Sequence, residues 1–319
     1  MLGELVKYTF QRGVPAPGEP EEYPYYLKPL PVNYRDVKEE LEKVLRAEKP
    51  VLTRWLYSTW NAEREAIKYQ EIRNALSAGA VPSAWLEQWQ KDYTNFVNEV
   101  WSKSALASIT RAGGLYIDAL GGSFNPGTQS IVNWITNRGG FLITNFTEQQ
   151  RKAVQHIIRW GIEQGISADE LARYLRPVIG LNTQQELAVI NFRNQLMKEL
   201  QEQGLTGKAL REAVEKKVQD YAGWLNRRRA RTIADTELSF AYNQGQLEAM
   251  KQLTEPGAPL QGERIYKIWR TKGAEVCPAC QELEGEMREL DDDFSAGISA
   301  PPLHPRCYCI LEFKREGAL

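Results

Sequence analysis

Histidine is nearly missing from this sequence: His156 and His304 are the only two in 319 residues. Catalysis that draws on several imidazoles has nothing to build on, and no HExxH is present. The HxE of nucleic-acid deaminases is absent, as is the GxxxxGK(S/T) loop that cradles nucleotide phosphates; Gly207-Lys208 stands without the rest of that loop. An excess of charge is also lacking. The net charge of −1 gives no global field for nucleic acid or an acidic membrane, so any such contact must come from a local patch. No stretch approaches the roughly 18 to 20 apolar residues that cross a bilayer, and the N-terminal MLGELVKYTFQRG lacks the apolar core of a secretory signal. The expectation is a soluble protein made in the cytoplasm, without a membrane partner.

With 42% hydrophobic and 25% charged residues, the composition is that of an ordinary globular chain. Residues 1–33 read as an extended arm, because Pro15, Pro17, Pro20, Pro24, Pro29 and Pro31 interrupt any helix. Tyr8, Phe10, Tyr23, Tyr25 and Tyr26 suit this arm to docking, on its own domain or on a partner chain. Residues 34–112 carry the period of helices: Val37, Leu41, Val44 and Leu45, then Leu52, Leu56, Ile67, Ile72 and Leu76. A stripe of Trp85, Trp89, Tyr93, Phe96 and Trp101 reads as a helix-bundle seam. Residues 113–145, rich in Gly and Asn, read as a connection with a short helix at 128–137.

A helical region is expected over 146–255. Thr147 with Gln150, Ser167 with Glu170 and Thr183 with Glu186 fit capping boxes, and the long pattern after Lys208 suggests a break near Gly223 or Gly245. Arg227, Arg228, Arg229 and Arg231 radiate over most of a helix circumference, as a solvated face or as a contact with DNA phosphates. Beyond Pro256-Gly257 the texture favours strands at 264–271, 287–290 and 308–313. The fold class is therefore α+β: helical N-terminal and middle regions followed by a small β-rich unit at 262–319.

All four cysteines fall in that last unit, with one of the two histidines among them. Cys-Pro-Ala-Cys at 277–280 and His-Pro-Arg-Cys-Tyr-Cys at 304–309 bring Cys277, Cys280, His304, Cys307 and Cys309 into one constellation. Two thiolates two residues apart can point at one ion, and a second such pair completes a tetrahedron. Soft sulfur and imidazole ligands suit zinc, with iron as the competitor. Five candidates compete for four places, as Cys₃His with His304 or Cys₄ with Cys309 in its stead. Disulfides suit a secreted chain, and a redox CxxC wants a βαβ context that this pattern lacks. A unit this small gains from a structural zinc, whose binding contributes roughly 10 kcal/mol or more to folding. Glu282, Glu284 and Glu286 are the nearby carboxylates for a catalytic alternative.

The helix from Arg229 to Glu237, with Ala241, Asn243 and Gly245 after it, then Trp269, Cys-Pro-Ala-Cys, Leu283-Glu-Gly285 and LHPRCYC, resembles the phage Mu F-like family of minor head proteins. The resemblance spans roughly 145–315 and is most specific over 229–310. It implies a minor capsid protein of a tailed phage or prophage, associated with the portal protein in the virion head and acting in head assembly or in DNA packaging and ejection. The major capsid protein and phage DNA are further partners on this reading. A DNA-binding virion module and a metal-dependent enzyme such as a nuclease are the alternatives.

Overall fold

The computed structural model describes residues 27–271 and 276–316. The aromatic residues of the arm up to Tyr26 lie outside the described residues. Apolar residues at helical spacing become buried faces. Helix α1 (Tyr34–Ala66) buries Val37, Leu41, Val44, Leu52, Leu56 and Trp60 and runs through Pro50 unbroken. Helix α2 (Tyr69–Ala78) stops at Gly79, whose φ of 65° is the left-handed cap that glycine adopts without strain. Helix α3 (Ser83–Phe96) passes through a π-helical turn (Val97–Trp101) into α4 (Ser102–Leu120). The aromatic stripe is core: Trp85, Trp89, Tyr93, Phe96 and Trp101 are all buried. Trp60 Nε1 donates to the Tyr93 hydroxyl at 3.0 Å, which donates in turn to Gln150 Oε1 at 2.8 Å.

The region read as a Gly-rich connection is mostly helix, since α4 continues to Leu120 and α5 spans Gln129–Glu163. Its glycines allow close packing rather than turns. A Cβ on Gly113 would lie 2.4 Å from the Phe124 ring, and one on Gly139 would lie 2.6 Å from Val97 Cγ1. Thr147 is accordingly inside α5 and caps nothing, while Gln150 becomes a buried hub that donates to Glu63 at 2.9 Å and accepts from Gly180 N at 3.1 Å. Helix α6 (Ala168–Val178) starts as expected, with Ser167 accepting from Glu170 N. Helix α7 (Thr183–Glu202) is capped one residue earlier than its sequence suggests, by Asn182 with Gln185. That shift releases Glu186 to the interior. Helix α8 (Gly207–Thr254) is one element of 48 residues with no break at either glycine. Gly245 is required by contact, because a Cβ there would stand 2.6 Å from the Ile109 carbonyl oxygen.

The strand-forming runs make β2 (Ile265–Arg270), β3 (Met287–Glu289) and β4 (Ile310–Glu316), with a short helix α9 (Pro278–Leu283) between the first two. A further strand, β1 (Leu27–Pro29), comes from the end of the Pro-rich arm. The antiparallel sheet has the order β1-β4-β2-β3, with Leu27 opposite Glu316, Trp269 opposite Leu311 and Ile268 opposite Met287. Pro29 is tolerated because β1 is an edge strand, and Leu30 and Val32 just beyond it enter the core. Residues 27–33 thus pack on their own chain.

The chain forms two compact units. One holds residues 27–49, Lys103–Ile135 and 232–316, including the sheet; the other holds Pro50–Ser102 and Thr136–Arg231 and is helical. Replacing Gly245 with Ala tests the tight crossing in the first unit. The expected loss is about 1 to 3 kcal/mol from overpacking against backbone, read as a lower midpoint in urea unfolding; an unchanged midpoint would show that the crossing yields.

Candidate metal centre

Cys277 ends the link from β2 and caps α9, its Sγ accepting from Cys280 N at 3.4 Å. Pro278 at the first helical position has no N–H to leave unpaired, so the turn is tight and both sulfurs face one side. The second ligand segment turns between His304 and Cys307, where Cys307 N donates to the His304 carbonyl at 3.1 Å. Arg306 adopts a φ of 59°, a left-handed conformation rare for a residue with a side chain, and its N–H is held by Thr236 Oγ1 at 3.1 Å. This turn brings His304 and Cys307 toward the first pair.

The five candidates converge. Cys277 Sγ lies 3.0 Å and Cys280 Sγ 3.2 Å from His304 Nε2, and Cys280 Sγ lies 3.6 Å from Cys307 Sγ. Two overlapping groups, Cys277–Cys280–His304 and Cys280–Cys307–Cys309, each keep their ligand atoms within 4.8 Å of one another. Two sulfurs on a tetrahedral zinc with bonds of about 2.3 Å stand roughly 3.8 Å apart, so the Cys280–Cys307 distance is that of a tetrahedron's edge. It is far too long for a disulfide, and all four cysteines are free. The residues are thus close enough to bind a metal ion, and the donor set is compatible with zinc. Cys280 is common to both groups; His304 and Cys309 each belong to one.

The surroundings suit metal ligation. His304 Nδ1 lies 3.0 Å from the Pro305 carbonyl oxygen; a proton held there leaves the Nε2 lone pair facing the sulfurs. Hydrogen bonding from Cys280 and Cys309 drives the Cys307 thiol well below its ordinary range, and the same contact with Cys307 pushes Cys280 up. Thiolate is the metal-binding form. Trp269 and Phe294, in edge contact at 5.3 Å, are buried in the same core as Cys280, Cys307 and Cys309.

The spacing of the cysteines did not reveal what supports them. Thr236, Asn243 and Gln246 on α8 face this segment: Asn243 Nδ2 donates to the Cys309 carbonyl at 3.2 Å and Gln246 Nε2 to the Leu311 carbonyl at 3.2 Å. Their signal in the sequence was a set of polar residues at helical spacing among buried apolar ones. Two of the three nearby carboxylates are committed elsewhere. Glu284 accepts from Thr271 N at 2.6 Å, and Glu286 accepts from Ser295 N and Oγ, each at 2.7 Å. Glu282 is exposed.

The four arginines do not share a face. Arg227 donates to the Tyr57 hydroxyl at 2.9 Å, Arg228 lies over the Trp224 ring at 5.3 Å, and Arg231 is exposed. Arg229 is only 8% exposed and donates to Gln149 Oε1 at 2.6 Å, and burial lowers its pKa to about 10. Its guanidinium serves the interior.

A strong chelator is expected to abolish amide protection in β2, β4 and α9 while leaving α6 and α7 protected, as read by hydrogen exchange. Cys280→Ser should reproduce the chelated pattern in untreated protein, because Cys280 belongs to both ligand groups. Equal protection with and without chelator would argue against a folding role for metal.

Among the described residues no helix is long and apolar enough to cross a membrane. No curated protein and no solved structure matches the chain. A family model described as Phage Mu protein F like protein matches residues 152–312, about half of the chain, and the match takes in α6, α7, α8 and all five candidate ligands. This suggests a phage head protein, a component of the virion. The chain belongs to the phage Mu protein F like family.

Proposed function

We propose that this protein is a minor head protein of a tailed phage or prophage, made in the host cytoplasm and assembled into the virion head beside the portal protein. There it acts in head assembly, DNA packaging or DNA ejection, with the major capsid protein as a second neighbour. The observation that carries this reading is the family match, which runs from the helical region through the segment that bears the Cys/His cluster. The cluster is a structural zinc site on this reading, with Cys277, Cys280, Cys307 and either His304 or Cys309 as ligands. Its sulfur-rich donor set and the engagement of Glu284 and Glu286 in local turns favour a staple over an open catalytic site.

A role in holding DNA is the second reading. Arg227, Arg228 and Arg231 are exposed on α8 and available to phosphates, whereas Arg229 is withdrawn. A metal-dependent nuclease is the weakest, with Glu282 as its remaining acid or base.

Co-expression with the portal protein of the same phage genome should yield a complex that survives size-exclusion chromatography; separate elution of the two folded proteins would sink the portal role. Neutralising Arg227, Arg228 and Arg231 together to Gln should weaken DNA binding and lower the salt slope by about 1 for each phosphate these arginines neutralise. An unchanged slope would exclude them from DNA binding. Metal-dependent DNA cleavage that Glu282→Gln abolishes would favour the nuclease instead.

A further inference from the structure

The second, helical unit buries a carboxylate that the head-protein reading does not use. Glu186 on α7 is 0% exposed, and both its oxygens approach one atom, His156 Nδ1 on α5, at 2.9 and 3.0 Å. Burial raises the Glu186 pKa and the hydrogen bond from His156 draws it back. Removing a carboxylate from water is strongly unfavourable, so burying one merely to hold an imidazole in place calls for a reason. It commits Nδ1 inward and leaves Nε2 as the ring's remaining polar atom, on a side chain 44% exposed.

Cations flank that ring on the same helix. Arg151, Lys152, Gln155, His156 and Arg159 line one depression in the surface. Lys152 precedes His156 by one helical turn and Arg159 follows by about one, so the three share a face. Glu148 offsets part of the charge, accepting two bonds from Arg151 at 2.6 and 2.7 Å and standing 3.7 Å from Lys152. Arg159 is exposed and has no partner among the described residues. Beyond what Glu148 offsets, the depression therefore carries a surplus of donors and positive charge.

Length and lining select the ligand. From Arg151 to Arg159 the helix rises about 12 Å at 1.5 Å per residue, whereas phosphates along one strand of a duplex advance about 3.4 Å each. Because those phosphates also wind around the axis, neighbours stand farther apart than this rise, and the row suits two or three successive phosphates rather than a single anion. No Phe, Tyr or Trp lines the depression, so bases lack a broad stacking platform, and a duplex presenting its backbone fits better than an unpaired strand. We propose that Arg151, Lys152, His156 and Arg159 form a binding site for the phosphodiester backbone of duplex nucleic acid, with Glu186 as the positioning residue for His156.

This site is separate in sequence from the arginines of α8, and its test needs neither portal nor head. Full-length protein is titrated against a short labelled duplex of mixed sequence by fluorescence anisotropy over a range of salt. The double variant K152Q/R159Q, altered only at exposed positions, is expected to bind about tenfold or more weakly, with the salt slope reduced by about two. E186Q, which keeps an acceptor but a weaker, neutral one, should lower affinity and move the hydrogen-bonded Nδ1–H resonance of His156 upfield in the proton spectrum; H156Q should lower affinity as a direct test of His156. Absence of binding by the wild-type protein, or an unchanged slope in K152Q/R159Q, would overturn the proposal. Full displacement of the duplex by inorganic phosphate at matched ionic strength would also overturn it, in favour of a single-phosphate pocket. Wild-type affinity in E186Q would remove Glu186 from its positioning role.

Discussion

From Asp235 to Met250 helix α8 is buried on nearly every side, and this constraint organises the unit around it. A helix with a solvent face can discard its polar side chains there; this segment cannot, so most find a partner inside, and Ser239 Oγ is buried without one among the described residues. Asp235 pairs with Lys49 at 2.7 Å, and Ser239, Asn243 and Gln246 all lie in the interior. Several of these groups meet the returning chain between Arg306 and Leu311, where they bond backbone rather than side chains. The ligand-bearing turn is therefore held by α8 through its own main chain. A metal arriving at such a turn has less conformational freedom to remove, which raises affinity without any change of ligand.

The sheet has the complementary dependence. Its central strands β2 and β4 pair over six positions, but β3 is three residues long and β1 is an edge strand containing proline. Ion pairs join β2 to β4 through Arg270 and Glu312, and β4 to the residues before β2 through Arg315 and Glu263. These are partly exposed contacts and each stabilises little. Apolar burial by Trp269, Ile310, Leu311 and Phe313 is the larger contribution.

The strands β2, β3 and β4 were legible because short runs of β-formers stood between turn residues, and the Cys/His site because its ligands had metal-binding spacing. What misled was glycine. At Gly113, Gly139 and Gly245 it serves close contact within the packed helices, and a single sequence does not separate that use from a turn. Capping residues misled in a similar way: Thr147 with Gln150 has the spacing of a helix start, yet Gln150 is an interior hub within α5. Strand β1 had no local signal, since its hydrogen-bonding partner lies at the other end of the sequence. The arginine cluster read as one feature, but the helix turns Arg229 inward and leaves its neighbours outside, a distinction that only the packing around Trp60 and Gln149 creates.

Pairing of Leu27 with Glu316 gives synthesis on the ribosome a definite order. The helical unit is complete in sequence at Arg231, so its fold can form while the rest of the chain is still being made. The unit containing the sheet draws on three separated segments and must wait for β4, which follows β2 and β3 in the chain. Until then Leu30, Val32 and the apolar residues of α8 lack Ile310, Leu311 and Phe313, with which they share a core, which is when a chaperone has most to shield.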